Sequence, residues 1–316
     1  MKAVFDNSFF DAEERDGFWV QSLMKKNWAV QIDIVCEIDE ICRRHGLTYW
    51  FDYGSLLGAV RHKGFIPWDD DIDISMKRID YEKFLGYAYK ELPSYYRIAY
   101  LQGHAGDPLK ILCRSNITID EITYSKLHGF PYISGVDIFP YDNIPDGEAA
   151  LELKDLVKSI LGVSQFWENE DTTCFSYEEK MESIDIIEQV TGTKIDLEDD
   201  VVKQLHYLCD RVSSMYYDEP SQEMARVLSY TLHNGSVYPR EWLNDFEIVP
   251  FENIFVPIPC MSEEILGKLY RDWRRPVRFA ATHNYPFFKS QVDELVDYAS
   301  KNNYPLSEEF IWKNIE

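Results

Sequence analysis

The sequence predicts an α+β fold in which helices flank a mixed β-sheet, with a largely helical insertion or second lobe. Helical periodicity predicts a first helix, short apolar or alternating segments follow it up to residue 139, and long acidic helical stretches begin at residue 142. The 316 residues are enough for one large domain or two modest ones, each able to bury a core.

The first predicted element is a helix over 17–46. Ile34, Ile38 and Ile41 recur at helical spacing, and Gly46 suits the C-cap. The later elements, in order, are an aromatic strand at 47–52 that ends at Tyr53-Gly54-Ser55, a strand at 72–74, a helix over 80–91, strands at 97–101, 109–113 and 135–139, and a helix over 201–217.

The change of texture along the chain predicts three parts. Residues 1–141 form a core that includes the N-terminal helix, 142–245 form a mainly helical insertion or lobe, and 246–316 form a C-terminal segment that packs back on the core. The stretch 142–200 carries 17 acidic and 4 basic residues. We interpret these charges as solvated helix faces, where charged side chains usually lie.

Charge and composition exclude several classes of protein. The chain has 32 Lys and Arg against 55 Asp and Glu, a net charge of −23, so we expect no nucleic-acid partner. The six cysteines show no Cys-x-x-Cys spacing, so neither a zinc ribbon nor a dithiol site is expected. The first twenty residues lack the apolar stretch of a signal peptide, and no run reaches about 18 apolar residues. We expect a cytoplasmic protein without a transmembrane segment, in at most peripheral contact with the inner face of the membrane.

Four aspartates within five positions carry the clearest chemical signal. Asp69, Asp70, Asp71 and Asp73 repel one another, so the fold must expose them or neutralise them with a cation. Side chains alternate along a strand, so Asp71 and Asp73 share a face and can hold one divalent ion. Asp69 joins them if the backbone is already extended there, while Asp70 points away.

Three kinds of site compete for this cluster. A calcium loop of the EF-hand kind fails, because Ile74 and Asp80 occupy the positions of its glycine and glutamate. A glycosidase pair requires one isolated carboxyl of raised pKa, whereas these acids are packed together. Phosphoryl or nucleotidyl transfer fits better, since an Asp-x-Asp pair holds Mg²⁺ on phosphate oxygens and the upstream Gly54-Ser55 turn lets backbone N–H groups approach them.

The Gly-Ser turn, the Asp-x-Asp strand and a later single Asp resemble the nucleotidyltransferase fold. The string from Tyr53 through Ile74 closely resembles the LicD family, whose members are associated with phosphorylcholine transfer to bacterial surface glycans and to which fukutin-related proteins are similar. The resemblance covers roughly residues 40–290 with gaps, and its further blocks are 108–118, 135–142, 251–257 and 269–273. Leu112-Cys113 and Arg271 depart from it, at positions where polar residues and glycine are expected.

The resemblance implies that Asp71 and Asp73 hold Mg²⁺ (or Mn²⁺) and that Asp137 is the third carboxylate. Asp137 lies in the otherwise apolar strand pattern 135–139, where a carboxylate is costly unless it meets a cation or donors. The alternative is an Asp at a strand end that caps a turn, since Pro140 follows closely.

A diphosphate substrate also calls for basic groups. Lys110 and Arg114 are the candidates for its phosphates, because on a regular strand they face the same way. Arg61 and His62 follow the Gly-Ser turn and can close over the substrate, although His62 also suits a solvated loop. The basic stretch 265–289 either binds an acceptor phosphate or pairs with the acidic insertion, and we favour the pairing.

Choline has no hydrogen to donate, so its recognition relies on aromatic faces and carboxylates. Most of the aromatic residues near the metal motif are expected in the core, with one or two lining a choline pocket: Tyr49, Trp50, Phe51, Tyr53, Phe65 and Trp68.

Together, these features predict a metal-dependent transferase of nucleotidyltransferase-like fold. We favour transfer of phosphocholine from CDP-choline, or of another phosphoalcohol from its CDP carrier, to a hydroxyl of a cell-surface glycan precursor with release of CMP. The acceptor class implied by the resemblance includes lipid-linked glycans, teichoic acid and lipopolysaccharide. The alternatives are a nucleotidyltransferase that adds NMP from NTP to a small acceptor, and a noncatalytic metal- or glycan-binding protein.

Overall fold

An N-terminal hairpin and one long helix open the chain in the computed structural model, which describes residues 2–101, 109–119, 121–168, 176–233, 235–278 and 285–312. Strand β1 (Glu13–Arg15) pairs antiparallel with β2 (Phe18–Val20), and helix α1 (Ser22–His45) follows. Gly46 ends α1 with φ 64°, and its N–H donates to the carbonyl of Cys42. This confirms the predicted glycine C-cap, because a left-handed residue costs glycine little.

The central sheet is mixed, which confirms the predicted α+β class. Its strands are β3 (Trp50–Phe51), β4 (Asp73–Lys77), β5 (Arg97–Ala99), β6 (Leu109–Leu112), β7 (Gly135–Ile144), β8 (Glu223–Ala225) and β9 (Tyr238–Pro239). The order is β3-β4-β7-β6-β5, β8 pairs with the far end of β7, and β9 pairs with β8. Strands β4 and β7 run parallel, and the other recorded pairs are antiparallel.

Helices surround this sheet, and a separate hairpin follows it. The helices are α2 (Tyr53–Arg61), α3 (Arg78–Glu91), α4 (Glu121–Lys126), α5 (Glu148–Glu168), α6 (Tyr177–Thr191), α7 (Val201–Ser213), α8 (Val227–His233), α9 (Ser262–Tyr270) and α10 (Val292–Lys301). The hairpin consists of β10 (Phe246–Phe251) and β11 (Ile254–Pro259), with Glu252 at φ 50° in its turn. Among the described residues, no helix is both long and apolar enough to cross a membrane.

The buried apolar side chains form two clusters. The larger cluster joins the sheet with α1, α2, α3, α9 and α10, and the smaller one lies among α5, α6, α7 and α8. Strand β7 links them, because its first half pairs with β4 and β6 and its last three residues pair with β8. We call α5 to α8 the helical lobe. The boundaries predicted at 141 and 245 stay predictions.

The structure differs from the expected elements around Tyr53-Gly54-Ser55. We expected the end of a strand there, but β3 has two residues and α2 begins at Tyr53. The carboxylate of Asp52 caps this helix by accepting the N–H of Tyr53 at 2.9 Å. Two glycines within nine residues hide the helical pattern, which explains the missed helix.

Candidate active site

A cavity of about 950 Å³ opens where β4 and β7 begin. Because these strands run parallel, Asp73 lies opposite Asp137 in register. Asp69 and Asp71 line the same cavity from the segment before β4. The fold thus brings together the three carboxylates that the resemblance implied, Asp71, Asp73 and Asp137, and adds Asp69.

Burial raises the pKa of two of these carboxyl groups. Desolvation raises the pKa of Asp73 well above its usual range, and the neighbouring Asp71 and Asp137 raise it further. Desolvation likewise raises the pKa of Asp69, with further contributions from Asp71 and Asp70. A cation in the cavity would relieve this repulsion and favour the ionised carboxylates.

Asp70 does not line the cavity, but it precedes β4, which begins at Asp73, so the expected strand alternation does not account for its position. Its side chain is fully buried, and its Oδ2 accepts the N–H of Phe287 at 2.6 Å. Its carbonyl accepts the side-chain amides of Asn27 and Gln31, both at 2.8 Å. Carboxylate oxygens of Asp69, Asp70 and Asp71 lie within 4.8 Å of one another. Because the carboxylate of Asp70 accepts the N–H of Phe287, we infer that Asp70 anchors the backbone at Phe287.

The Gly-Ser pair of α2 supports the carboxylates in two ways. Gly54 lines the cavity, and a Cβ placed on it would lie 2.7 Å from Oδ2 of Asp69, so this close approach requires glycine. Ser55 is buried and does not line the cavity; its Oγ accepts the N–H of Asp73 at 2.9 Å. Ser55, predicted to bind substrate, is therefore placed where it fixes the start of β4.

Lys110 and Arg114 have separate environments. Lys110 lines the cavity, and its Nζ donates to Oδ2 of Asp137 at 2.8 Å. Arg114 is buried and donates to the carbonyls of Tyr132 and Phe130 at 2.9 and 2.6 Å, and it does not line the cavity. Lys110 and Arg114 were expected to share one face of a strand, which requires a regular strand up to residue 114. Strand β6 ends at Leu112 instead, so the two side chains diverge.

Arg61 and His62 also separate. Arg61 lines the cavity and donates to the carbonyl of Trp273 at 2.6 Å. His62 does not line it, and its Nε2 lies 3.2 Å from Oδ2 of Asp16. Burial and then the charge of Arg61 lower the pKa of His62, so the neutral imidazole is favoured near neutral pH. The structure does not bring His62 to the carboxylates.

The aromatic residues near the metal motif divide between the core and the cavity. Tyr49, Trp50, Phe51 and Phe65 are buried in the core, whereas Tyr53 and Trp68 line the cavity. Four further aromatic residues line it that the choline prediction did not include: Phe139, Tyr270, Trp273 and Phe287. Tyr270 and Trp273 lie in the block 269–273, whose resemblance to the family did not indicate a place in the site.

Arg226 is a basic residue of the cavity wall that the sequence did not indicate, whereas Arg275, also in the wall, belongs to the basic stretch 265–289, for which binding of an acceptor phosphate was one of two expectations. Arg226 follows β8, some 90 residues after Asp137 by sequence number. It belongs to no motif, so only the pairing of β8 with β7 could have indicated its position.

The basic stretch 265–289 contains two arginines whose partners lie outside the acidic segment 142–200. Arg274 forms an ion pair with Glu263, and Arg278 donates to the carbonyl of Asp16. Neither partner lies in the acidic segment 142–200. Arg271 has φ 54°, a backbone conformation that favours glycine, which explains why glycine was expected there. Residues 279–284 of this stretch, like Pro108 of the earlier block, lie outside the described part.

The mixed sheet with carboxylates at one edge of β4 and β7 has the features of a nucleotidyltransferase domain. Residues 46–147 match the sequence model of the family described as LicD/FKTN/FKRP, nucleotidyltransferase domain. Residues 46–147 are therefore similar to the nucleotidyltransferase domain of the LicD family.

Several curated proteins are similar to the chain. The lipopolysaccharide cholinephosphotransferase LicD of Haemophilus influenzae is 34% identical over 128 residues, which are 39% of this chain and 46% of that protein. An uncharacterized protein of Rickettsia typhi is 35% identical over 109 residues, 34% of this chain and 33% of its own length. The human ribitol 5-phosphate transferase FKRP is 55% identical over 31 residues, 10% of this chain and 6% of that protein. The chain thus spans less than half the length of each of these relatives.

Proposed function

We propose that this protein is a metal-dependent transferase that moves a phosphoalcohol from a CDP carrier to a hydroxyl of a cell-surface glycan precursor. Phosphocholine from CDP-choline is the first candidate, and CMP is the product released. The observation that carries the proposal is the convergence of Asp69, Asp71, Asp73 and Asp137 on one large cavity. The reaction is proposed for the cytoplasm, with at most peripheral contact between the protein and the membrane.

The carboxylate set fits a divalent cation such as Mg²⁺ or Mn²⁺. Asp71, Asp73 and Asp137 would hold it, with Asp69 beside them, and all four offer the hard oxygen ligands that such ions prefer. Burial, and after it the charges of the neighbouring carboxylates, raise the pKa of Asp69 and of Asp73, and a cation would offset both effects. A bound ion supplies positive charge beside the phosphates of the donor.

Lys110 and Asp137 suit the handling of the acceptor hydroxyl. The ammonium of Lys110 donates to Asp137 at 2.8 Å, which fixes the position of the carboxylate. Asp137 then accepts the proton of the hydroxyl, whose oxygen bonds to the phosphorus that carries the alcohol. The bond from that phosphorus to the bridging oxygen breaks, and CMP leaves with this oxygen.

The cavity walls favour choline as the alcohol. A quaternary ammonium binds to aromatic faces and carboxylates. Guanidinium groups lie over Phe139, Trp68 and Trp273 at 4.0 to 5.4 Å from the ring centroids. Within the described residues, no lysine or arginine is seen over the ring of Tyr270. Burial raises the pKa of the Tyr270 phenol, and the nearby charges of Asp73 and Asp69 raise it further. We assign Tyr270 to the choline subsite.

A nucleotide screen tests the proposed function. Purified protein with Mg²⁺ is incubated with CDP-choline, CDP-ribitol, CDP-glycerol or CTP, in the presence of glycan acceptors, and the products are separated chromatographically. CMP release with CDP-choline is the expected result. Pyrophosphate release from CTP would instead identify a nucleotidyltransferase. A protein that shows no Mg²⁺-dependent affinity for any of these nucleotides would be a binding protein, contrary to the proposal.

A further inference from the structure

Arg226 reaches the cavity from the helical lobe side of the chain. It directly follows β8, whose Ala225 pairs with Asp142 near the end of β7. The strand that carries Asp137 therefore also positions the residue before Arg226. This arrangement places a basic side chain in the cavity wall, although Arg226 lies outside the sequence motifs.

Aromatic contacts fix the guanidinium group of Arg226. It lies 4.0 Å from the ring centroid of Phe139, and the rings of Phe139 and Tyr53 are 5.4 Å apart in an edge-to-face contact. Arg226 also lies near the Tyr53 hydroxyl, where its charge partly offsets the rise in the pKa of Tyr53 that burial causes. Stacking on an aromatic face restricts the plane of the guanidinium, so the group keeps a defined orientation.

The stack places this charge close to the carboxylates. Phe139 follows Asp137 by two residues on β7, so both side chains lie on the same face, about 6.6 Å apart along the strand. Arg226 and the carboxylates line one cavity, so a diphosphate bound at the carboxylates would lie in the same cavity as Arg226. A guanidinium fork suits phosphate oxygens, which it can bind with two parallel hydrogen bonds.

The other basic residues of the wall have different surroundings. Lys110 pairs with Asp137, Arg61 donates to the carbonyl of Trp273, and Arg275 is solvent-exposed. Arg226 is half-buried and lies beside Tyr53 at the start of α2. A half-buried guanidinium binds an anion more strongly than an exposed one, because water screens it less.

We propose that Arg226 binds the diphosphate of the donor substrate, so that the segment after β8 completes a phosphate site begun by the carboxylate edge of the sheet. This inference rests on the proposed function for the identity of the donor, and it names the side chain that recognises the donor's phosphates. Arg226 thereby takes the role that the sequence had assigned to Arg114.

Binding measurements separate this role from a structural one. Titration calorimetry with Mg²⁺ compares wild type, Arg226→Gln and Arg226→Lys, using CDP, inorganic pyrophosphate and cytidine as probes. Arg226→Gln is expected to weaken binding of CDP and pyrophosphate by about 10- to 100-fold, the effect of losing a charged hydrogen bond. Cytidine, which has no phosphate, should bind the variant and wild type alike, and Arg226→Lys should recover part of the loss. Arg211→Gln, an exposed arginine of α7, is the matched control and should bind as wild type does.

Each outcome bears on one proposal. Equal affinity of wild type and Arg226→Gln for CDP and pyrophosphate overturns the role of Arg226, as does equal weakening of cytidine binding, which indicates a structural effect. Wild type that binds neither phosphate probe also overturns it. Wild type that binds pyrophosphate through Arg226, but releases no CMP from any CDP-alcohol, contradicts the proposed function and leaves the phosphate site intact.

Discussion

Asp73 shows how neighbours determine the chemistry of a single residue. Its N–H is held by Ser55, its position in β4 lies opposite Asp137, and burial raises its pKa. The folded protein without a cation therefore retains protons that the unfolded chain releases. Under the linkage relation, such a group lowers stability as the pH rises above the ordinary range of an aspartic acid.

We expect the free energy of unfolding of the metal-free protein to fall as pH rises above about 4, the ordinary aspartate pKa. Asp73→Asn should reduce this fall, because it removes one of the repelling carboxylates. Urea unfolding over a pH series in EDTA measures the free energy of unfolding of wild type and of Asp73→Asn. The exposed Asp6→Asn is the control. Added Mg²⁺ should stabilise wild type near neutral pH and should stabilise Asp73→Asn much less. Equal Mg²⁺ stabilisation of both proteins would contradict the assignment of Asp73 to the metal.

Substitutions of Tyr270 test whether choline is the alcohol of the donor. Tyr270→Leu should raise KM for CDP-choline by about 3- to 30-fold, from the loss of about 0.5–2 kcal/mol of cation–π attraction. Tyr270→Phe retains the ring and should change KM little. Steady-state CMP release measures KM for both variants. The KM for CDP-ribitol should be nearly unaffected by either substitution. A similar rise in KM for both donors would exclude a choline-specific contact.

At the scale of elements, the start of α2 controls the position of Asp69. Gly54→Ala places a Cβ 2.7 Å from Oδ2 of Asp69, so the carboxylate must move. We expect a fall in Mg²⁺ affinity, measured by titration calorimetry, with the overall fold retained. Gly86→Ala in α3 is the control, because no atom lies within 4 Å of its added Cβ and alanine stabilises a helix by about 0.5–1 kcal/mol. Unchanged Mg²⁺ affinity in Gly54→Ala would remove Asp69 from the metal site.

A buried ion pair connects α3, β7 and α7. Arg78 donates to both carboxylate oxygens of Asp142 at 2.7 and 2.9 Å, and to Asp210 at 3.0 Å. Asp142 lies opposite Ala225, so the pair also supports the segment that carries Arg226. The network thus joins the sheet to the helical lobe next to the proposed phosphate site.

Asp142→Ala should lower the free energy of unfolding by about 3–5 kcal/mol, because it leaves the guanidinium of Arg78 buried without its main partner. Glu82→Ala removes an exposed partner of the same arginine and should cost less than about 1 kcal/mol. Urea unfolding followed by circular dichroism compares the two variants. Similar losses would show that burial of the pair contributes little.

For the whole molecule, the two apolar clusters predict that the helical lobe can unfold separately from the sheet. Leu205→Ala removes a fully buried side chain from the lobe and should cost about 2–5 kcal/mol. Native-state hydrogen exchange should show this loss in the amides of α5 and α7, while those of β4 and β6 keep their protection. Leu151→Ala, on the exposed side of α5, is the control. Equal loss of protection in both regions would show a single cooperative unit and contradict the predicted division at 142–245.

The amino-acid sequence by itself determined the α+β class and the glycine that ends α1. These features depend on local periodicity and backbone preference, which a few neighbouring residues specify.

Only the tertiary structure decided which distant residues share the cavity. The parallel pairing of β4 with β7 sets Asp73 against Asp137, and the pairing of β7 with β8 brings in Arg226. The end of β6 at Leu112 removes Arg114 from the same wall. Strand pairing and strand ends follow from packing across the whole chain, and no local pattern in the sequence encodes them.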